Sequence, residues 1–188
     1  GHTFDAGPTI ITAPFLLQEL WQLCGRRLED DVELVAMDPF YRIRFDDGSH
    51  FDYNGDPAHM RAEVARFAPD DLPAYERFLQ VCEKCKKLGF EGMGEQAFDT
   101  LGDLIRAIPD FLRMGAWRNL HAQVARHFKN EHLRTVMSFH PLLIGGNPFS
   151  VTAAYALINA LERTWGVHSA MGGTGSIVTG LVGLLRER

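Results

Sequence analysis

The stretch Asp31–Tyr53, DVELVAMDPFYRIRFDDGSHFDY, decides the fold class, because two kinds of side-chain periodicity meet at its end. Tyr41, Ile43 and Phe45 alternate with Arg42 and Arg44, and after Asp47-Gly48 the alternation resumes at Phe51 and Tyr53. Period two with a glycine turn predicts a half-buried antiparallel hairpin, and Val32 and Leu34 suit a preceding strand. Beyond Tyr53 the spacing changes to three and four: Met60, Val64 and Phe67, then Leu72, Tyr75, Phe78, Leu79, Cys82 and Cys85. Leu120, Val124 and Phe128, then Leu133, Val136 and Met137, then Val151, Tyr155, Ile158 and Leu161 continue it. Such spacing places apolar residues on one helical face, so the expected class is α+β, mostly helical with a small antiparallel sheet. Gly102, Pro109 and Gly115 punctuate residues 100–117, which are expected to form short pieces around a hinge or loop.

The chain has 188 residues, 46% of them hydrophobic, enough for one proper core. Its formal charge of -5, without a dense basic run, gives no footprint for nucleic acid. No apolar run is long enough to span a bilayer, and the N-terminal residues lack the order of a secretory signal, so a cytoplasmic chain is expected. Three cysteines, Cys24, Cys82 and Cys85, argue against a disulfide framework.

Cys82 and Cys85 have the spacing of a redox pair, but both fall on one face of a predicted helix and no second pair follows; core packing is expected. His121, His127 and His132 are not spaced to stack on one helical face as metal ligands, and no metal site is expected. Asp70-Asp71 before Leu72 suits a helix N-cap. The glycines are harder to assign. Gly173-x-Gly175 opens a helix whose backbone N–H groups suit an anion, but the dinucleotide fingerprint would need a third glycine at Val178; a tight turn into a packed helix fits as well. In FDAGPT, residues 4–9, Gly7 and Pro8 suit either close backbone approach to a ligand or a plain loop before the helix around Leu16–Leu23.

The ordered blocks FDAGPTIIT (4–12), GRRLEDDVEL (25–34), DPFYRIRFDDG (38–48), EHLRTVMSFHPLLIGGNPF (131–149), YALINALERTWGV (155–167) and GGTGSIVTGLVGLL (172–185) closely resemble the bacterial-type phytoene desaturases, FAD-dependent carotenoid desaturases of the flavin amine oxidase-like superfamily. The resemblance covers essentially the whole chain. It implies an internal piece of a flavoenzyme, the substrate-binding, lid-like region, without the family's dinucleotide-binding βαβ unit. The implied division is a flavin-proximal segment and first helix at 1–30, antiparallel strands at 31–55, a helical substrate-binding and membrane-facing region at 56–165, and a return strand and helix at 166–188.

The resemblance also implies site residues. Gly7, Pro8 and Thr9 would run beside the flavin, and Gly172 and Gly173 would start the helix returning toward it. Leu142, Leu143, Ile144, Gly145, Gly146, Asn147, Pro148 and Phe149 would form part of the wall of an apolar channel for a polyene. No base stands out; His140, beside the channel segment, is the candidate. FAD is expected in the parent and not retained by the chain alone. An apolar isoprenoid or polyene is the expected substrate, and a membrane surface the expected partner, met peripherally through Phe111, Leu112, Met114 and Trp117 near Arg113 and Arg118; core packing is the competing role for these residues. A carotenoid isomerase or oxidase on the same scaffold, or a lipid-binding module without catalysis, are the alternatives, and the oligomeric state is left open.

Overall fold

The computed structural model describes residues 9–186. The alternation at 41–53 forms the expected hairpin: β2 (Tyr41–Arg44) pairs antiparallel with β3 (His50–Tyr53), with Ile43 opposite Phe51 and Tyr41 opposite Tyr53. Gly48 adopts φ 82° in the turn, a region L-residues avoid. One face of the hairpin is buried, with Phe51 and Tyr53 fully inaccessible.

The preceding strand is shorter than its pattern and pairs elsewhere. β1 (Leu34–Ala36) lies antiparallel to β4 (His168–Ala170), so the strands form two separate pairs. Val32 precedes β1 as a buried loop residue, because packing against Trp21 and Leu184 outweighs strand pairing there.

The helices follow the three-and-four spacing. α1 (Pro14–Leu23) starts with proline in its first turn, where a missing N–H costs nothing. α2 (Pro57–Phe67) is capped by Asp56, whose carboxylate accepts from Ala58 N and His59 N. α3 (Leu72–Cys85) buries Tyr75, Phe78, Cys82 and Cys85, then widens into a π-helical segment, Lys86–Gly92. α4 (Leu101–Met114), α5 (Leu120–Ala125), α6 (Glu131–Ser138), α7 (Leu157–Trp165) and α8 (Gly175–Arg186) complete the set.

Residues 101–114 depart from the expected short pieces: Leu101–Met114 is one helix, α4. A reciprocal capping box between Thr100 and Asp103 starts it, Gly115 at φ 76° ends it, and Pro109 is carried inside. The two terminal devices outweigh the single interior proline.

Asp71 stands at the N-cap position of α3 as expected, but its side chain makes no capping bond there. Instead its buried carboxylate accepts from the backbone N–H groups of Lys129 and Asn130, both at 2.9 Å, and so holds the start of α6.

Two apolar cores result. The larger joins the hairpin to α2, α3, α5, α6 and α7 around Phe51, Phe78, Phe128 and Leu133. The smaller joins α1, β1, β4 and α8 around Trp21, Leu28 and Leu184. In the smaller core Trp21 donates its indole N–H to Asp31 at 2.7 Å, and Gly180 of α8 sits so close that a Cβ there would meet Trp21 Cζ2 at 2.8 Å. Full burial of each large apolar side chain is worth about 1.5–3 kcal/mol.

Candidate functional site: an apolar cleft over a buried polar cluster

The segment after α6 shapes a cleft. A 3-10 turn, His140–Ile144, ends at Gly145 with φ 72°. Gly146 then donates to Pro141 O at 2.8 Å, and a Cβ on Gly146 would meet Val151 Cγ1 at 2.9 Å, so the chain reverses with no room for a side chain. Asn147 Oδ1 accepts from Phe149 N, and Pro148 O accepts from His121 N at 3.0 Å, which ties the loop to α5. A short 3-10 segment, Ala153–Ala156, leads into α7.

The reversal encloses a cleft of about 560 Å³. Leu142, Gly145, Gly146, Asn147, Pro148 and Phe149 line it, facing Ser138 and Phe139 from the end of α6 and His121 from α5. Leu143 and Ile144 belong to the same turn but not to the wall; Ile144 points outward and is exposed. His121 and Phe149 pack with their rings tilted by 37° and centroids 4.4 Å apart. A pocket of this size with mainly carbon walls suits an apolar ligand.

Beneath the cleft lies a polar cluster that sequence spacing does not reveal. Glu162 of α7 is fully buried; Tyr41 of β2 donates its hydroxyl to Glu162 Oε1 at 2.8 Å. Glu162 Oε2 lies 3.2 Å from His140 Nε2, at ion-pair distance but without hydrogen-bond alignment. Beside them Asn159 Nδ2 donates to Tyr53 Oη at 2.6 Å. Burial, followed by the Glu162 charge, pushes both tyrosine hydroxyls well above their ordinary pKa, so they stay protonated donors. His140 itself is buried and is not part of the cleft wall. Its ring packs on Phe139 and Tyr53, fixing the first residue of the turn that forms the wall. Nothing local marks Glu162, because its partners come from β2 and from the turn after α6.

The remaining candidates lie at the smaller core. Gly7 and Pro8 fall outside the described residues. Thr9 is exposed, two residues before Ile11, which pairs antiparallel with His168 of β4. The same strand leads to Gly172 and Gly173, at φ 81° and 83°. Ile11 and the Gly172-Gly173 turn thus flank β4. The turn at Gly172 is exposed, and a Cβ on Gly175 would meet nothing within 4 Å, so open backbone precedes α8.

Other constellations have structural roles. Cys82 and Cys85 are fully buried, and burial raises both thiols, Cys85 to about 11, so neither is a nucleophile at neutral pH. His132 stacks on Phe45 at 4.0 Å, and His127 meets Phe78 edge-on. Among the described residues no group of His, Cys, Asp and Glu could hold a metal, and no helix is long and apolar enough to cross a membrane.

Comparison with known proteins gives this geometry a family. The chain is 46% identical over 181 residues to the neurosporene-forming phytoene desaturase of Cereibacter sphaeroides, covering 96% of this chain and 35% of that protein. It is 44% identical to the lycopene-forming phytoene desaturase of Pseudescherichia vulneris, over 100% of this chain and 38% of that protein. A zeta-carotene-forming phytoene desaturase of Myxococcus xanthus is 30% identical over 100% of this chain and 37% of its own length. The chain therefore spans little more than a third of each relative. The model for flavin containing amine oxidoreductases matches residues 1–188, and the chain belongs to that family.

Proposed function

We propose that this chain is the substrate-binding part of an FAD-dependent phytoene desaturase that dehydrogenates phytoene in carotenoid biosynthesis. The observation that carries this reading is the similarity to phytoene desaturases over essentially the whole chain. The cleft supports it: its walls are mainly apolar, and a polyene needs few hydrogen-bonding partners. Bound FAD would accept the hydride removed from a saturated carbon–carbon bond, which is the difficult step of the reaction.

The chain's own residues do the rest. Leu142, Pro148 and Phe149 hold the hydrocarbon and exclude water, while Gly145 and Gly146 keep the wall thin. His140, Tyr41 and Glu162 keep the wall in place. Thr9, with Gly7 and Pro8 of its motif, and Gly172 and Gly173 would lie along the flavin edge. A cytoplasmic protein that meets its substrate at a membrane surface fits α4, whose Leu101, Leu104, Ile105, Ile108 and Leu112 form an exposed apolar ridge at spacings of three and four. Trp117 is exposed beside it with Arg118 over its ring at 4.9 Å. Met114, expected on the same outer face, is buried against the core.

The test is turnover of phytoene in liposomes by the longer protein that carries this chain, supplied with FAD, with product masses measured. Loss of hydrogen pairs supports the reading. An unchanged mass with altered double-bond geometry favours an isomerase, gain of oxygen favours an oxidase, and hydrocarbon binding without turnover favours a lipid-binding module. The 188-residue chain alone, mixed with FAD and desalted, is expected to retain no yellow colour.

A further inference from the structure

A second apolar recess lies away from the 142–149 cleft. It has a volume of about 340 Å³ and opens between α4, the π-helical segment and the start of α7. Gly89, Met93, Phe98, Phe111, Met114 and Leu157 form most of its walls; no lining side chain is charged, and the only polar groups are the hydroxyls of Tyr155 and Thr152. Thr152 at the rim already donates its hydroxyl to Ala116 O at 2.9 Å. An apolar cavity of about 150 Å³ is known to stay dry and take up benzene, and this one is larger.

Two further observations point to an occupant. The floor is kept open by Gly89, where a Cβ would meet Leu157 Cδ2 at 3.2 Å and Met114 Sδ at 3.4 Å. That glycine sits in the π-helical segment, a geometry costly to maintain and frequent at functional sites. At the mouth, Phe98 and Phe111 are 38% and 36% exposed. Phe111 adjoins the ridge residues Leu104 and Ile108 on the surface of α4, so apolar surface runs without a break from the outside of the helix into the cavity. Met93 and Met114 add flexible, polarisable walls that adapt to a chain rather than to one rigid shape.

We propose that this cavity binds one linear hydrocarbon chain, which enters past Phe98 and Phe111 from the ridge of α4. For the identity of the natural chain, an isoprenoid polyene, the proposal rests on the reading of the protein as a polyene desaturase; the class of ligand rests on the cavity. Two apolar sites flanking the Ala153–Ala156 segment then give the protein a place to take up hydrocarbon that differs from the cleft.

The test is photolabelling of the full chain with a linear fatty acid bearing a mid-chain diazirine, followed by peptide mapping, which separates the two sites. Labels within residues 89–114 are expected. Gly89→Leu, which fills the floor, should reduce them at least fivefold while labels on 139–149 persist. Phe98→Glu, a change at an exposed position that does not depend on repacking the π-helical segment, should do the same. Labels confined to 139–149, or labels at 89–114 that neither substitution reduces, overturn the proposal. Phytoene turnover by the longer protein reads the other question: no turnover with the labelling pattern intact removes the desaturase reading and leaves the cavity, whereas turnover with substitution-insensitive labelling removes the cavity and leaves the desaturase.

Discussion

The floor of the 142–149 cleft and the outer face of α4 are built from similar residues by opposite rules. Under the cleft Tyr53, His140, Asn159 and Glu162 are buried, and the half-buried Tyr41 joins them through its hydroxyl. On α4, Leu101 is 73% exposed and none of the described residues covers the ridge. One region uses apolar surface to fix a shape, and the other leaves it for something outside. Substitutions should therefore cost stability in the first and binding in the second.

The largest effect is expected at Glu162. Glu162→Leu leaves the Tyr41 hydroxyl without its acceptor and the buried His140 ring without the carboxylate 3.2 Å away, a loss of about 3 kcal/mol, read as a lowered urea midpoint. A midpoint within error of the parent would mean the cluster does not hold the cleft floor. Asp71→Ala follows, at about 2 kcal/mol, because two backbone N–H groups lose their acceptor together. Native-state hydrogen exchange should show faster exchange at Lys129 and Asn130 before any other part of α6.

A smaller effect separates a half-buried group from the enclosed cluster. Burial, then the charges of Arg77 and Arg126, lowers the pKa of His127 below 6.5. The unfolded chain thus takes up this proton more readily, so stability is complete above the ordinary histidine range and falls as pH drops through 6.5. His127→Gln should flatten that decline between pH 7 and 5; an unchanged slope would assign it to another group. The smallest effect on stability belongs to the ridge. Ile105→Gln should change the urea midpoint by no more than about 0.5 kcal/mol while reducing co-sedimentation with phospholipid vesicles severalfold. Destabilisation there without a binding effect would erase the contrast between the two regions.

How much of this was readable in advance follows the range of each interaction. The hairpin and most helices are written locally, in the alternation from Tyr41 to Tyr53 and in the spacing of Tyr75, Phe78 and Cys82, and they fold where those patterns stand. The cleft segment was legible too, since Gly145, Gly146 and Pro148 punctuate an apolar run and the structure brings them onto one wall. α4 was misread because Gly102 and Pro109 are conspicuous, while the device that starts the helix, Thr100-x-x-Asp103, is a quiet signal. Glu162 was not legible at all. A glutamate on an amphipathic helix looks like a solvated residue until a tyrosine from a distant strand and a histidine from another turn close over it. The pairing of β1 with β4 was hidden for the same reason.

That pairing has one more consequence. Ala36 lies opposite His168, and Met37 N donates to Val167 O at 2.9 Å, so the polypeptide leaves the β1–β4 ladder and returns to it at neighbouring points. The stretch from residue 37 to 167, the 142–149 cleft included, thus leaves and rejoins the ladder at one place, with Phe15 of α1 packed on its Phe90 and Trp165 as a second attachment. An insertion whose two ends already touch adds little strain to its host, whatever its own length. The helical part is thus cassette-like: its length can change without moving its two attachment points in the ladder, as long as the surface that Phe15 of α1 packs on is kept.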